Sequence, residues 1–196
     1  MEHPFSALLK WLREHNCYPP AAEYRIIQQH TVYTRIPKNT IIMEQGRPVN
    51  TFYFMNSGIA RLFLKHNQED ITLAFISAPQ FASTIIYLLN RVPSRLAIET
   101  CTDIEALQWD QDNFMAIREH TETGKKMETA LTELLLRWNL EREIDRLTQT
   151  PEERYCRLIE TSPLVAQQVP VKYIASYLGI HQDSLSRIRN RLMKKF

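Results

Sequence analysis

Near the end of the chain, residue types and spacing suit the reading of base edges in a duplex. Ala175, Gly179 and Leu185 fall at intervals of 4 and 6. A helix-turn-helix needs a small residue where its second helix crosses the first, a glycine for the left-handed turn, and a buried aliphatic in the second helix. Ile174, Ala175 and Leu178 pattern one helix, and Leu185, Ile188 and Leu192 pattern the next. With those three inward, the second helix presents Gln182, Asp183, Ser184, Ser186, Arg187 and Asn190 outward, with Arg189 and Arg191 at its flanks. Arginine binds guanine O6 and N7 with two hydrogen bonds, glutamine does the same at adenine N6 and N7, and a carboxylate accepts from cytosine N4. Gln182, Asp183 and Arg187 therefore form a reading set, while Lys172, Arg189, Arg191, Lys194 and Lys195 suit phosphates or solvent.

The rest of the chain has to position those helices. From Thr31 to Trp109 short β-rich runs follow one another: 31–33, 40–43, 51–55, 60–65, 71–76, 97–101 and 104–109. Ala60, Leu62 and Leu64 alternate with Arg61, Phe63 and Lys65, and 66–70 reads as a polar five-residue loop before the pattern resumes. The expectation is an α+β chain with an antiparallel β-roll or barrel. From about Gln111 the period becomes helical, and Met127, Leu131, Leu134 and Trp138 recur at 4, 3 and 4. Such a stripe suits either a seam with a second copy or packing on the chain's own β-domain. Thr150, Pro151 and Glu153 set a capping hydroxyl, an N1 proline and an N3 carboxylate, so a new helix starts there and 148–150 is a hinge candidate. The division expected is 1–110 for an N-terminal helix and sensor domain, 111–149 for the connecting helix, and 150–196 for the helix-turn-helix.

With 196 residues and 44% apolar composition the chain reads as globular, and its net charge of +2 says little about partners. The charge is uneven: 151–196 carries 8 Lys/Arg against 4 Asp/Glu, leaving 16 against 18 for 1–150, which suggests a polyanion partner. Cys17, Cys101 and Cys156 are scattered, which argues against a disulfide framework or zinc knuckle and fits a reducing cytoplasm. The six histidines (3, 15, 30, 66, 120, 181) lack metal-ligand spacing, so no metal is expected. The start of the chain, Met1 to Asn16, reads as an amphipathic helix, and no apolar run reaches membrane-spanning length. No nucleophile triad, phosphate loop or HExxH motif argues for an enzyme.

Two stretches carry a family resemblance. Tyr173 to Arg189 (YIASYLGIHQDSLSRIR) resembles the recognition segment of the Crp/Fnr regulators, and Phe52 to Arg61 (FYFMNSGIAR) resembles the β-roll turn of cyclic-nucleotide-binding domains. The likeness runs from about Tyr24 to Phe196, in the family's order. It implies a homodimer joined through the connecting helix, hence through Met127, Leu131, Leu134 and Trp138. It also implies double-stranded DNA as partner, RNA polymerase as a further candidate, and Gln182, Asp183 and Arg187 at the base-reading positions. Gln182 and Asp183 depart from the arginine and glutamate of the best-known members, so their operator does not transfer, and little chain remains for a C-terminal wing. In the effector cassette Ser83 and Thr84 replace the family's Gly-Glu pair, Ser94 stands where its arginine would be, and Arg95 lies one place late. A strand residue displaced by one faces the other way, so cyclic nucleotide is not expected and an unknown small-molecule effector stays open. Iron-sulfur members need four cysteines, one more than this chain has. The rival reading is a degenerate ligand- or protein-binding module without DNA binding, and Arg187 separates the two.

Overall fold

The structure is a computed structural model, and it describes residues 3–90 and 92–193. Among the described residues, eight antiparallel strands form two four-stranded sheets. One is ordered β1(Val32–Ile36), β8(Ile104–Asp110), β3(Thr51–Ser57), β6(Gln80–Ala82), and the other β2(Ile41–Met43), β7(Ala97–Thr100), β4(Ile59–His66), β5(Glu69–Ser77). The expected β-roll is present. The loop expected over 66–70 is not, because β4 and β5 run on, pairing His66 with Glu69. Only Asn67 and Gln68 turn the chain, at φ 50° and 66°. Positive φ at both central residues matches the twist of a two-residue hairpin, and asparagine tolerates it well. At Gly58, between β3 and β4, φ is 92° and an added Cβ would collide with the Asp103 carbonyl, so glycine is required for the close approach.

Aromatic rings fill the roll. Phe52 lies 4.8 Å from Phe114, 5.0 Å from Phe81 and 5.5 Å from Trp109, and the Trp109 indole donates to Thr31 Oγ1 at 2.7 Å. α1(Ser6–Glu14) adds Leu8, Trp11 and Leu12 to this core. α2(Ala21–Gln29), which no sequence pattern marked, sends Glu23 to the start of the long helix, where its carboxylate accepts from the backbone N–H groups of Glu122 and Thr123. β6 and the short α3(Ile85–Asn90) likewise occupy a stretch left unassigned by the strand pattern.

α4(Gln111–His120) leads to α5(Glu122–Thr148), 27 residues long. The helix-turn-helix region follows as α6(Pro151–Thr161), α7(Pro163–Gln168), α8(Val171–Leu178) and α9(Gln182–Met193). α6 opens with the capping box expected at Thr150 and Glu153. Among the described residues no strand follows β8, so none serves as a wing.

The β-roll and the C-terminal helices share a boundary built around a buried cation. β4 is buried on both faces as far as Phe63 because α8 covers its outer side. Arg61, on the face of β4 opposite Ala60 and Leu62, is 2% exposed. Its Nε donates to Glu99 at 2.7 Å and its Nη2 to Asp70 at 2.5 Å. Its guanidinium carbon sits 3.9 Å from the ring centre of Phe63 and 3.7 Å from that of Tyr173 on α8. Burial works against this charge, and the two carboxylates more than offset it, moving the guanidinium pKa up. Ser176 on α8 accepts from the backbone N–H of Thr72 and donates to the carbonyl of Asp70, each at 2.9 Å. It thereby occupies polar groups on β5, an edge strand. Ile59 and Cys101 of the roll join the apolar cluster formed by Ile174, Ala175, Leu178 and Leu185. Burial pushes the Cys101 thiol up to about 12, so it stays protonated and unreactive.

Arg61→Met leaves two carboxylates without their cation, a loss of about 3–5 kcal/mol. The expected outcome is a lower Tm together with faster labelling of Cys101 by a thiol reagent under native conditions. Labelling of Cys101 at the parent rate would show that Arg61 does not hold the two parts together.

Candidate nucleic-acid interface and adjoining cavities

The candidate surface begins with the turn before it. Gly179 ends α8 at φ 69°, in the left-handed conformation, and the turn N–H groups return to the carbonyls of Ala175 and Ser176. An L side chain there costs about 1 kcal/mol, so the glycine sets the angle at which α9 leaves. Ala175 is 2% exposed at the crossing and Leu185 is fully buried, so the three positions identified from spacing occupy the places that the motif requires.

On α9, Leu185 and Ile188 face the core, while Gln182, Asp183, Ser184, Ser186, Arg187 and Asn190 are exposed. Arg187 makes no hydrogen bond or ion pair among the described residues, leaving its guanidinium free. Asp183 lies 3.4 Å from His181 Nδ1 at the start of the helix. Lys172 is exposed, with its ammonium 4.7 Å from the Tyr173 ring centre. Arg189 differs from the expectation. Its Nε donates to the Tyr155 hydroxyl at 2.8 Å and its Nη2 to the Ala166 carbonyl at 3.4 Å, so it braces α9 against α6 and α7. Arg191 pairs with Glu152 at 2.8 Å. Lys194 and Lys195 lie outside the described residues.

α5 carries two apolar faces. Met127 and Leu131 are buried in the core of the chain's own β-roll, and Leu134 and Trp138 pack against it. Of the stripe expected at a dimer seam, Met127 and Leu131 are thus buried within the chain and Leu134 and Trp138 are half-buried there. Leu136, Leu140, Ile144 and Leu147 lie on the other side, 71%, 62%, 50% and 71% exposed. Their spacing of 4, 4 and 3 was visible in the sequence, but a helix apolar on both sides gives no hint of which side turns inward.

Between α5 and the roll lies a cavity of about 260 Å³, walled chiefly by Trp11, Phe52, Phe81, Leu131, Leu134 and Trp138. Of the four positions aligned with the effector cassette, only Ser83 lines it. Thr84 is buried and donates to the Met43 sulfur at 3.0 Å. Ser94 is buried in a local turn, donating to the Leu96 carbonyl and accepting from the Leu96 N–H. Arg95 is exposed. Among the described residues no carboxylate or guanidinium lines the cavity, and these are the groups that a ribose hydroxyl and a cyclic phosphate call for. His15 and His30 are engaged within the chain: His15 stacks on Trp11 at 3.9 Å, and His30 Nδ1 lies 2.7 Å from Asn113 Oδ1.

Residues 33–121, most of the β-roll, match the family model described as cyclic nucleotide-binding domain. The whole described arrangement, roll, long helix and helix-turn-helix, is the fold of the Crp/Fnr regulators. It is similar to the c-di-GMP-responsive global regulator CLP of Xanthomonas campestris, with a TM-score of 0.67 at 13% identity over 90% of this chain and 93% of that one. A CooA variant from Carboxydothermus hydrogenoformans gives 0.67 at 18% over 97% and 85%. FixK2 of Bradyrhizobium japonicum gives 0.68 at 16% over 84% and 85%. No curated protein matches this chain in sequence at a significant level.

The different tasks of neighbouring arginines are separable by thermal unfolding. Arg189→Ala removes a hydrogen bond to a buried tyrosine and lowers stability by about 1–2 kcal/mol. Arg187→Ala stays within about 0.5 kcal/mol of the parent chain. Equal losses in the two variants would contradict the placement of one inside and the other outside.

Proposed function

We propose that this chain is a sequence-specific DNA-binding transcription regulator of the Crp/Fnr type, acting as a homodimer on an inverted-repeat operator. The observation that carries this reading is the outer face of α9, where Gln182, Asp183, Ser186, Arg187 and Asn190 stand exposed on a helix whose exit angle is set by Gly179. Gln182, Asp183 and Arg187 read base edges in the major groove, and Lys172 and Ser184 contact phosphates. Arg189 acts from inside by holding the reading helix in place.

The homodimer forms through the outer stripe of α5, Leu136, Leu140, Ile144 and Leu147, because Met127 and Leu131 are already buried against the roll and Leu134 and Trp138 partly so. Four large aliphatics on one helix face are a seam that a second copy buries. A two-fold axis along α5 then presents two reading helices to successive major grooves about 34 Å apart. The protein works without cyclic AMP or cyclic GMP, and any effector of the roll cavity is an uncharged, largely apolar molecule. Three unpaired thiols suit the reducing cytoplasm.

Selection of bound duplexes from a random pool tests the reading. The expected product is a palindrome whose binding is lost in Arg187→Ala, while Tm and the dimer are unchanged. No enrichment, or unchanged binding by the variant, would favour a module that does not read DNA. Leu140→Glu is expected to give a monomer in sedimentation and to weaken operator binding by about a hundredfold or more; a persistent dimer would move the seam elsewhere. Calorimetric titration with cyclic AMP and cyclic GMP is expected to show no binding tighter than about 10 μM, roughly 7 kcal/mol, and a tighter site would overturn the effector assignment.

A further inference from the structure

A second cleft, of about 250 Å³, opens where the C-terminal half of α5 meets α6 and α8. Trp138, Arg142 and Arg146 line it from before the 148–150 junction, and Arg154, Arg157 and Tyr177 line it from after. Against four guanidiniums the walls carry two carboxylates, Glu141 and Asp145. The arginines are unequally satisfied. Arg157 pairs with Asp145 at 2.5 Å, and Arg146 pairs with Glu143 at 2.7 Å. Arg154 donates through Nη2 to the Leu178 carbonyl at 2.7 Å, and its Nε is buried without a partner. Arg142 is partly buried, 5.4 Å from the Trp138 ring centre, and has no hydrogen bond or ion pair among the described residues. Burial lowers its pKa, which is the mark of a cation whose solvation has been removed faster than it has been replaced.

A concave site with surplus guanidinium charge and an unpartnered buried N–H is arranged for an anion, and arginine's planar fork suits phosphate. The walls are not purely ionic, since Trp138, Leu158 and Tyr177 provide apolar and aromatic surface beside the charge. No residue of α9 lines the cleft, so it is separate from the reading face. On α5, Trp138, Arg142 and Asp145 follow one another at 4 and 3 on the side away from Leu136, Leu140 and Leu147, so a second copy on the outer stripe leaves the cleft open. It is also separate from the roll cavity, which among the described residues has no carboxylate, lysine or arginine in its walls.

We propose that this cleft binds a small phosphorylated ligand of the nucleotide class, with its phosphate among Arg142, Arg146 and Arg154 and its ring against Trp138 and Tyr177. The ligand touches both sides of the junction, so its binding depends on the angle between α5 and α6. By linkage it favours the orientation of the C-terminal helices in which the cleft is closed around it.

The test is calorimetric titration of the full chain, at low ionic strength, with AMP and GMP as probes and with guanosine and inorganic phosphate as their parts. The expected result is one saturable site per chain for a nucleotide, at least tenfold tighter than for either part. Arg142→Gln and, independently, the exposed Arg146→Gln each weaken it about tenfold or more without loss of Tm. The second variant keeps the test decisive if the first is unstable. Absence of saturable nucleotide binding would overturn the proposal. So would binding that neither substitution affects, because the nucleotide would then sit elsewhere. Displacement of the nucleotide by duplex of random sequence, with weaker duplex binding by both variants, would assign the cleft to DNA backbone instead. Because the readout is ligand heat and not operator binding, it is independent of whether the chain reads DNA.

Discussion

A guanidinium taken out of water is tolerable only where its charge and its flat faces are met in place. Arg61 has that provision from two parts of the chain at once. Its own sheet supplies Asp70 and Glu99 for the charge and Phe63 for one face, while α8 supplies Tyr173 for the other. Without α8 the outer side of β4 would be an open aromatic and ionic surface, and β5 would keep the N–H of Thr72 that Ser176 now answers. The first helix of the helix-turn-helix is therefore the docking helix. That choice leaves the second helix outward, since α9 crosses α8 on the side away from the roll. The exposed outer face of α9 is a consequence of what Arg61 requires.

The long helix imposes the second constraint. A helix with one apolar stripe has one partner; α5 has stripes on opposite sides and must satisfy both. Met127, Leu131, Leu134 and Trp138 are satisfied by the roll within one chain, and Leu136, Leu140, Ile144 and Leu147 are left in water. Large aliphatics half or more exposed over three turns are costly to leave so, each forgoing about 1.5–3 kcal/mol of burial. The inner stripe ties the helix to the roll and the outer one is left for a further surface; in the proposed homodimer a shift of α5 on the roll would move the axis of the pair.

What could be read from sequence follows from how local each determinant is. Gly179, Ala175 and Leu185 lie within eleven residues and act through backbone conformation and one helix crossing, so their spacing announced the motif. The capping box at Thr150 and Glu153 is local in the same way. The strands were legible by alternation, although alternation in β4 could not tell that α8 buries the face of Arg61 and Phe63. Arg189 looked like a phosphate contact because Tyr155, its partner, sits on α6, and nothing in the sequence places the two together. Glu23 and α2 were invisible for a similar reason, as the carboxylate matters only once it reaches the first N–H groups of α5. The inner and outer stripes of α5 were both visible, yet periodicity carries no information about which partner each will meet.

Trp138 joins the two halves of this picture. It is a wall of the apolar cavity between α5 and the roll and also a wall of the arginine cleft at the junction. One indole cannot move without altering both spaces, one fitted to an uncharged molecule and the other to an anion. For such a contact to transmit anything, the element beyond it must have more than one arrangement. The junction provides for that: α5 stops at Thr148, and α6 restarts with its own cap, so Gln149 and Thr150 lie outside both helices. Tilt at this point changes the separation of Arg142 and Arg146 from Arg154 and Arg157. It also pulls on Tyr173, which holds α8 to Arg61. The three features meet one motion from different sides, and under the ligand proposals made above an occupant of either cavity would act on the orientation of α9 through contacts that the chain already makes.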